Sequence, residues 1–151
     1  MYKQGTIYLL TILAVGLTGC YKKETPIERY LRFSPINVSA ETTQVIYYET
    51  FGMADFAESA IFKIPEHIGD EIIQTCLASG FKLGKFNEDE FLDQARNKPV
   101  QFEAISFALR HSNIAYRELN IRKHQVCSYR NANSAYVEVM DNYVFFAHYV
   151  P

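Results

Sequence analysis

The chain has 151 residues, with 17 acidic and 15 basic side chains and a formal net charge of −2 at pH 7. This balance argues against a nucleic-acid-binding protein, which needs a basic surface, and we expect no nucleic-acid partner. The length suits one domain with its own hydrophobic core.

The N-terminus begins with a short targeting pattern. Met1-Tyr2-Lys3 is positively charged, and an uncharged apolar run from Ile7 to Leu17 follows. That run is far shorter than the roughly 20 residues that a helix needs to cross a bilayer. It therefore indicates a signal peptide. The run closes in Leu17-Thr18-Gly19-Cys20, two small residues and a cysteine, which resembles the lipobox of bacterial lipoprotein precursors.

This resemblance implies that residues 1–19 are a signal peptide and that Cys20 is the first mature residue. Cys20 would then carry a thioether-linked diacylglyceryl group and an N-linked acyl chain, and two or more chains anchor a protein stably. In Gram-negative lipoproteins an aspartate after the cysteine retains the protein in the inner membrane. Tyr21 stands there in this chain, so in a Gram-negative host the resemblance favours the periplasmic side of the outer membrane over the inner membrane. The alternatives are an ordinary cleaved signal with a chance cysteine, or a buried N-terminal helix.

Cleavage changes the count of charges and of cysteines. Residues 1–20 contain one lysine and no acidic residue, so 14 of the 15 basic and all 17 acidic residues remain. Two cysteines also remain, Cys76 and Cys127. Because a translocated domain folds in an oxidising compartment, we expect a disulfide between them. The alternative is two unpaired thiols that pack as small apolar side chains.

Residues 20–35 are expected to hold the lipidated cysteine, a short polar spacer and a short helix. Thr25-Pro26-Ile27-Glu28 is typical of a capping box, with threonine at the N-cap, proline at N1 and glutamate at N3. Ser34-Pro35 ends this helix. Because the spacer comprises only residues 21–24, the domain should lie close to the membrane.

The remaining residues, 36–151, are expected to form a single domain that begins with a β-hairpin. Residues 44–51 and 55–64 predict its two strands, and Gly52 interrupts them. The second strand has an apolar face that comprises Phe56, Ala60, Phe62 and Ile64.

Three helical patterns follow the hairpin. In the first, Pro65 opens a helix that Gly80 ends, and its apolar seam includes Cys76. In the second, Asn87-Glu88-Asp89-Glu90 predicts the start of a helix that ends before Pro99. The third, residues 100–111, fits a helix or a strand, and we favour the helix.

The last third of the chain predicts an antiparallel meander. Residues 114–121 and 125–130 predict its first two strands, and residues 135–140 and 143–150 predict a hairpin. Asp141-Asn142 between them is typical of a two-residue type I′ turn. The fold class is therefore α+β, a small single domain with an antiparallel β-sheet and two or three helices.

The last hairpin has two unlike faces, because a two-residue turn pairs Met140 with Tyr143. One face is apolar and comprises Val137, Val139, Val144 and Phe146; the other comprises Tyr136, Glu138, Tyr143, Phe145 and Tyr149. The second is a candidate binding face, since phenolic rings offer flat apolar area with a polar tip. The alternative is a second packed layer. An even number of residues in the preceding loop places Cys127 on the aromatic face, and an odd number places it on the apolar face.

The sequence carries no catalytic motif and no metal-binding spacing, because the four histidines, His67, His111, His124 and His148, are too scattered to bind a metal from one element. We expect no cofactor. The sequence predicts a lipid-anchored envelope protein that binds a protein or a glycan. The alternatives are an inhibitor or immunity-type lipoprotein against a toxin or lytic enzyme, and an envelope enzyme whose site is assembled from scattered residues.

Overall fold

A computed structural model describes residues 23–52, 58–87 and 101–149. The helices of this part are α1 (Pro26–Phe33), α2 (Glu66–Thr75) and α3 (Glu103–His111), with a 3-10 helix at Tyr116–Leu119. The strands are β1 (Gln44–Thr50), β2 (Glu58–Lys63), β3 (Lys82–Lys85), β4 (Gln125–Arg130), β5 (Ala135–Met140) and β6 (Tyr143–His148). They form one antiparallel sheet, so the predicted α+β class is confirmed.

The strand order is β1-β2-β6-β5-β4-β3. The N-terminal hairpin joins the C-terminal meander where β2 pairs with β6, and Phe62 lies opposite Val144 there. The predicted register of the last hairpin is confirmed, since Met140 pairs with Tyr143 and Val137 with Phe146. The last strand of the chain is therefore central in the sheet.

Helix α1 begins with the predicted capping box. The backbone N–H of Glu28 donates to the Thr25 hydroxyl over 3.2 Å, and the Thr25 N–H donates to the Glu28 carboxylate over 2.7 Å. Tyr30 is fully buried, and its hydroxyl donates to the carbonyl oxygen of Ile36 over 2.8 Å. Its ring meets Phe62 edge-on at 5.4 Å. The helix is thus packed against the sheet rather than held away from it.

A separate hydrophobic core lies on each face of the sheet, because side chains alternate between the two faces along every strand. The first core lies beneath α1 and α2, and its buried members include Tyr30, Ala60, Phe62, Cys76, Cys127, Val137, Val139, Val144 and Phe146. The second lies beneath α3, and its buried members include Ile61, Phe102, Ile105, Leu109, Val126, Met140, Tyr143 and Phe145. Helices therefore cover both faces of the sheet.

Cys76 and Cys127 form the predicted disulfide, with their Cα atoms 5.7 Å apart and both side chains buried. Cys127 lies opposite Val139 on β5. It therefore belongs to the apolar face, as expected for an odd number of connecting residues, since five residues separate Arg130 from its partner Tyr136. The bond joins the end of α2 to β4 within the first core.

The turn between β5 and β6 is tied to three neighbouring segments. The Asp141 carboxylate accepts from the backbone N–H of Arg122 over 2.8 Å, and the Asn142 carbonyl accepts from Ile64 over 2.9 Å. Gly69 of α2 also approaches the turn, since a Cβ there would lie 2.2 Å from the Asp141 carbonyl oxygen. Of the two turn residues, only Asp141 has a positive φ, 55°. The predicted type I′ turn needs two, so this detail is wrong.

The remaining predictions have mixed outcomes. The helix favoured for residues 100–111 is confirmed by α3. The strand predicted for residues 114–121 is wrong, because a 3-10 helix lies between Asn113 and Asn120, whose φ angles of 56° and 52° are left-handed. The predicted helix that starts at Asn87 falls mainly on residues 88–100, outside the described residues, as do residues 1–22 and Phe56.

Strand β3 is not among the predicted elements. Its sequence is Lys82-Leu83-Gly84-Lys85, and lysine and glycine are poor strand formers. Pairing with β4 holds it in the sheet. Gly84 also leaves room for a neighbouring ring, since a Cβ there would lie 2.9 Å from Phe102.

Candidate binding groove

The aromatic face predicted for the last hairpin is mostly covered. Tyr143 and Phe145 are 5% and 0% exposed, and Glu138 is 3% exposed, because α3 packs across this face. Tyr136 and Tyr149 are partly exposed. Three of the five members of the candidate binding face are therefore covered by α3. These three belong to a second packed layer, the alternative given above for this face.

The same face of the sheet becomes polar beyond α3. Lys82 on β3 pairs with Ser128 on β4, and Ser128 pairs with Glu138 on β5, so the three lie side by side. In the next row Arg130 lies opposite Tyr136. These five residues form the floor of a cavity of about 510 Å³. We call it the polar groove.

One wall of the polar groove comprises Gln101, which precedes α3, and Glu103, the first residue of α3. The other wall is the turn of residues 79–81 that precedes β3. The cavity volume lies within the range of ligand sites, about 300–1,000 Å³. The groove is therefore large enough for a small ligand or a few residues of a peptide. Two members of the predicted aromatic face, Tyr136 and Glu138, line it.

Glu138 caps α3 from the neighbouring strand. Phe102, at the N-cap position, has no side-chain cap, and the Ile105 N–H donates to the Glu138 carboxyl over 2.8 Å instead. Burial raises the pKa of Glu138 to about 8, although hydrogen bonds from the backbone of Ile105, Ala104 and Glu103 act to lower it. This carboxyl is therefore mainly protonated at neutral pH.

The two cations of the polar groove have different surroundings. The Arg130 guanidinium lies over the ring of Tyr136, 4.8 Å from its centroid. Burial raises the pKa of the Tyr136 hydroxyl, and the nearby Glu103 carboxylate raises it further. Within the described ranges, neither Lys82 nor Arg130 lies within ion-pair distance of a carboxylate. Other basic residues do form such pairs, namely Arg29, Arg32, Arg122 and Lys123.

A second polar cluster lies on the opposite face of the sheet, around Glu58, which is 1% exposed. Arg29 of α1 donates to both of its carboxylate oxygens, over 3.1 and 2.8 Å. Tyr48 of β1 donates over 3.1 Å, and Nδ1 of His148 on β6 lies 2.8 Å away. The ring of Phe33 stacks on His148 at 4.0 Å. The cluster therefore ties α1 to three strands.

The pKa of Glu58 moves in the direction opposite to that of Glu138. Burial alone would raise it, but hydrogen bonds from Arg29 and His148 outweigh burial and lower it below the ordinary value. His148 is only 8% exposed. The arrangement is a structural ion cluster and leaves His148 little access to a substrate.

The sequence contains a signal for the Glu58 cluster, although this cluster is not among the predicted sites. Glu58 is in phase with Ala60, Phe62 and Ile64, the predicted apolar face of β2. A carboxylate on a buried face needs a partner. The polar groove had a weaker signal, because it depends on β3, whose existence the sequence did not indicate.

The predicted lipidation site, Cys20, lies among residues 1–22, outside the described residues. No helix in the described ranges is long and apolar enough to cross a bilayer. Those ranges also contain no group of three or more histidine, cysteine, aspartate or glutamate side chains that could hold a metal ion. No protein-family model, no curated protein and no solved structure matches the chain.

Proposed function

We propose that this chain is a lipid-anchored protein of the bacterial cell envelope that acts by binding, and that the polar groove is its binding surface. The lipobox-like sequence that ends in Cys20 is the single observation that carries the location. The groove supports the binding role, since it gathers two cations without carboxylate partners among the described residues in a cavity of ligand size.

The attachment of α1 is consistent with this role. The helix begins at Pro26, shortly after the proposed lipidated cysteine. Arg29 and Tyr30 then bind it to the sheet through Glu58 and the Ile36 carbonyl. The body of the protein therefore follows its anchor closely and would meet partners at or near the membrane surface.

The anchor is tested by mass spectrometry of the full chain expressed in a bacterial host, beside a Cys20→Ala variant. We expect lipid on Cys20 and loss of residues 1–19, and we expect the variant to remain unprocessed. Labelling with radioactive palmitate should give the same contrast. An intact N-terminus with an unmodified Cys20 would show that the proposed location is wrong.

The binding role is tested by recovering partners from solubilised envelopes with the full chain as bait. A double variant, Lys82→Gln with Arg130→Gln, should recover less of any partner that uses the groove. Lys85→Gln is a matched control, because it makes the same change on β3 outside the groove lining. Equal recovery by all three baits would exclude the groove as the binding surface.

A further inference from the structure

We propose that the polar groove binds an acidic peptide segment of a partner protein, with one carboxylate of the peptide held between Lys82 and Arg130. This inference rests on the proposed function, in which the groove is the binding surface, and it adds the chemical class of the ligand.

The register of the sheet places Lys82 and Arg130 close to each other on neighbouring strands. Lys82 is directly opposite Ser128, and Arg130 follows Ser128 by two residues on the same face of β4. Lys82 and Arg130 are therefore diagonal neighbours, about 7–8 Å apart at the backbone. Both side chains are long enough to converge on a carboxylate above Ser128, whose hydroxyl supplies a third donor. The guanidinium offers two parallel N–H groups that match a carboxylate.

The charge of the groove favours an anion. Lys82 and Arg130 supply two positive charges, and Glu103 supplies one negative charge at the wall. Glu138 adds none near neutral pH, because burial raises its pKa to about 8. The groove is thus locally positive although the whole chain has a net charge of −2, and an acidic segment would complement it.

The other groups of the groove favour a peptide over a sugar or a phosphate. Binding a sugar needs an open ring face, but the guanidinium of Arg130 lies over Tyr136, 4.8 Å from the ring centroid. A dianionic phosphate would face repulsion from Glu103 at the wall. A peptide tolerates that residue, since its backbone N–H groups can donate to Glu103 and to the side-chain carbonyl of Gln101.

Fluorescence anisotropy with the full chain in detergent micelles tests this proposal. The probes are two labelled pools of heptapeptides with random neutral residues, one with glutamate at the central position and the other with glutamine. We expect the glutamate pool to bind more tightly, and binding to weaken as salt is raised. Lys82→Gln and Arg130→Gln should each weaken it about tenfold, since each removes a charged hydrogen-bond donor. Lys85→Gln should leave it unchanged.

Three results would overturn the proposal: equal binding of the two pools, no binding of either, or full binding by the Lys82→Gln and Arg130→Gln variants. Displacement of the glutamate pool by inorganic phosphate or a uronic acid oligosaccharide at lower concentration than by unlabelled peptide would also overturn it. These failures are distinguishable from failure of the proposed function. If the double variant still loses an envelope partner while the peptides do not bind, the groove remains the binding surface and only the ligand class is wrong.

Discussion

Two buried glutamates, one on each face of the sheet, show how differently the same side chain can be accommodated. Glu58 is 1% exposed and meets Arg29, His148 and Tyr48, so it is held as a carboxylate. Glu138 is 3% exposed and meets backbone N–H groups at the start of α3. Its pKa is raised to about 8, whereas that of Glu58 is lowered.

The difference follows from what each carboxyl faces. At Glu58 the full positive charge of Arg29 within hydrogen-bond distance outweighs the cost of burial, whereas at Glu138 the partial charges of the backbone N–H groups do not. Glu58 therefore serves as an ionic link between α1 and the strands. Glu138 serves as a mostly neutral cap and leaves the neighbouring cations of the polar groove without compensation.

The largest expected effect on stability comes from removing the Cys76–Cys127 disulfide, which lies on the same face of the sheet as Glu58. The double variant Cys76→Ala with Cys127→Ala should lower the free energy of unfolding by about 4 kcal/mol, because the bond closes a loop with a sequence separation of 51. Urea unfolding measures this. The urea midpoint of a dithiothreitol-treated wild type should approach that of the variant. If both midpoints equal that of the untreated wild type, the bond does not stabilise the fold.

Breaking the ion cluster comes next. Arg29→Ala should lower the free energy of unfolding by about 2–3 kcal/mol, since it leaves the Glu58 carboxylate buried with His148 and Tyr48 as its remaining partners among the described residues. Arg32→Ala is the matched control on the same helix, because among the described residues Arg32 pairs with Glu24 alone, in an exposed bridge. That control should lose no more than about 0.5 kcal/mol. Equal losses in the two variants would contradict a specific role for Glu58.

The two glutamates should also respond oppositely to pH. Because the pKa of Glu138 is raised, the folded state holds a proton that the unfolded state releases above its ordinary pKa of 4.5. This contribution to stability is complete below that value and is lost as pH rises towards 8. Between pH 6 and 7 the wild type should lose about 1 kcal/mol relative to Glu138→Gln. Parallel stability profiles for wild type and variant would refute the raised pKa.

For Glu58 the sign is reversed. Its lowered pKa adds stability that is present above the ordinary value of 4.5 and is lost as pH falls through the folded-state value. The destabilisation caused by Arg29→Ala should therefore shrink in acid. Urea unfolding of wild type and variant at pH 3 and pH 7 measures it. If the difference in free energy of unfolding between wild type and variant is the same at both pH values, Arg29 acts through packing and not through charge.

The smallest expected effect concerns the groove itself. Lys82→Gln should change the free energy of unfolding by less than about 0.5 kcal/mol, since Lys82 has no ion-pair partner in the described ranges. Arg130→Gln should lower it by no more than about 1 kcal/mol, since it removes the contact of the guanidinium with the Tyr136 ring. Thermal unfolding of both variants measures this. A large loss from either would mean that the cation stabilises the fold, and that any binding defect has a structural cause.

The sequence was most informative where local pattern decides structure. The register of the last hairpin followed from the alternation of Val137, Val139, Val144 and Phe146 across a two-residue connection, and the capping box at Thr25 followed from spacing alone. These features depend on neighbours in the chain.

The groove could not be predicted in the same way, because it depends on contacts between distant segments. Nothing local to Tyr143 or Phe145 shows that α3 covers them, and nothing local to Lys82 shows that it pairs with Ser128. The strand prediction for residues 114–121 failed for a different reason, since Asn113 and Asn120 adopt left-handed backbone angles that end an extended segment.

The disulfide would also keep the protein covalently connected after a single proteolytic cut. Because it joins Cys76 to Cys127, every peptide bond from residue 77 to residue 126 lies inside a covalent ring. A single cut in that half of the domain would leave both fragments attached, and reduction would be needed to release them. A nicked molecule would therefore keep the proposed anchor at Cys20 and the C-terminal strands in one piece.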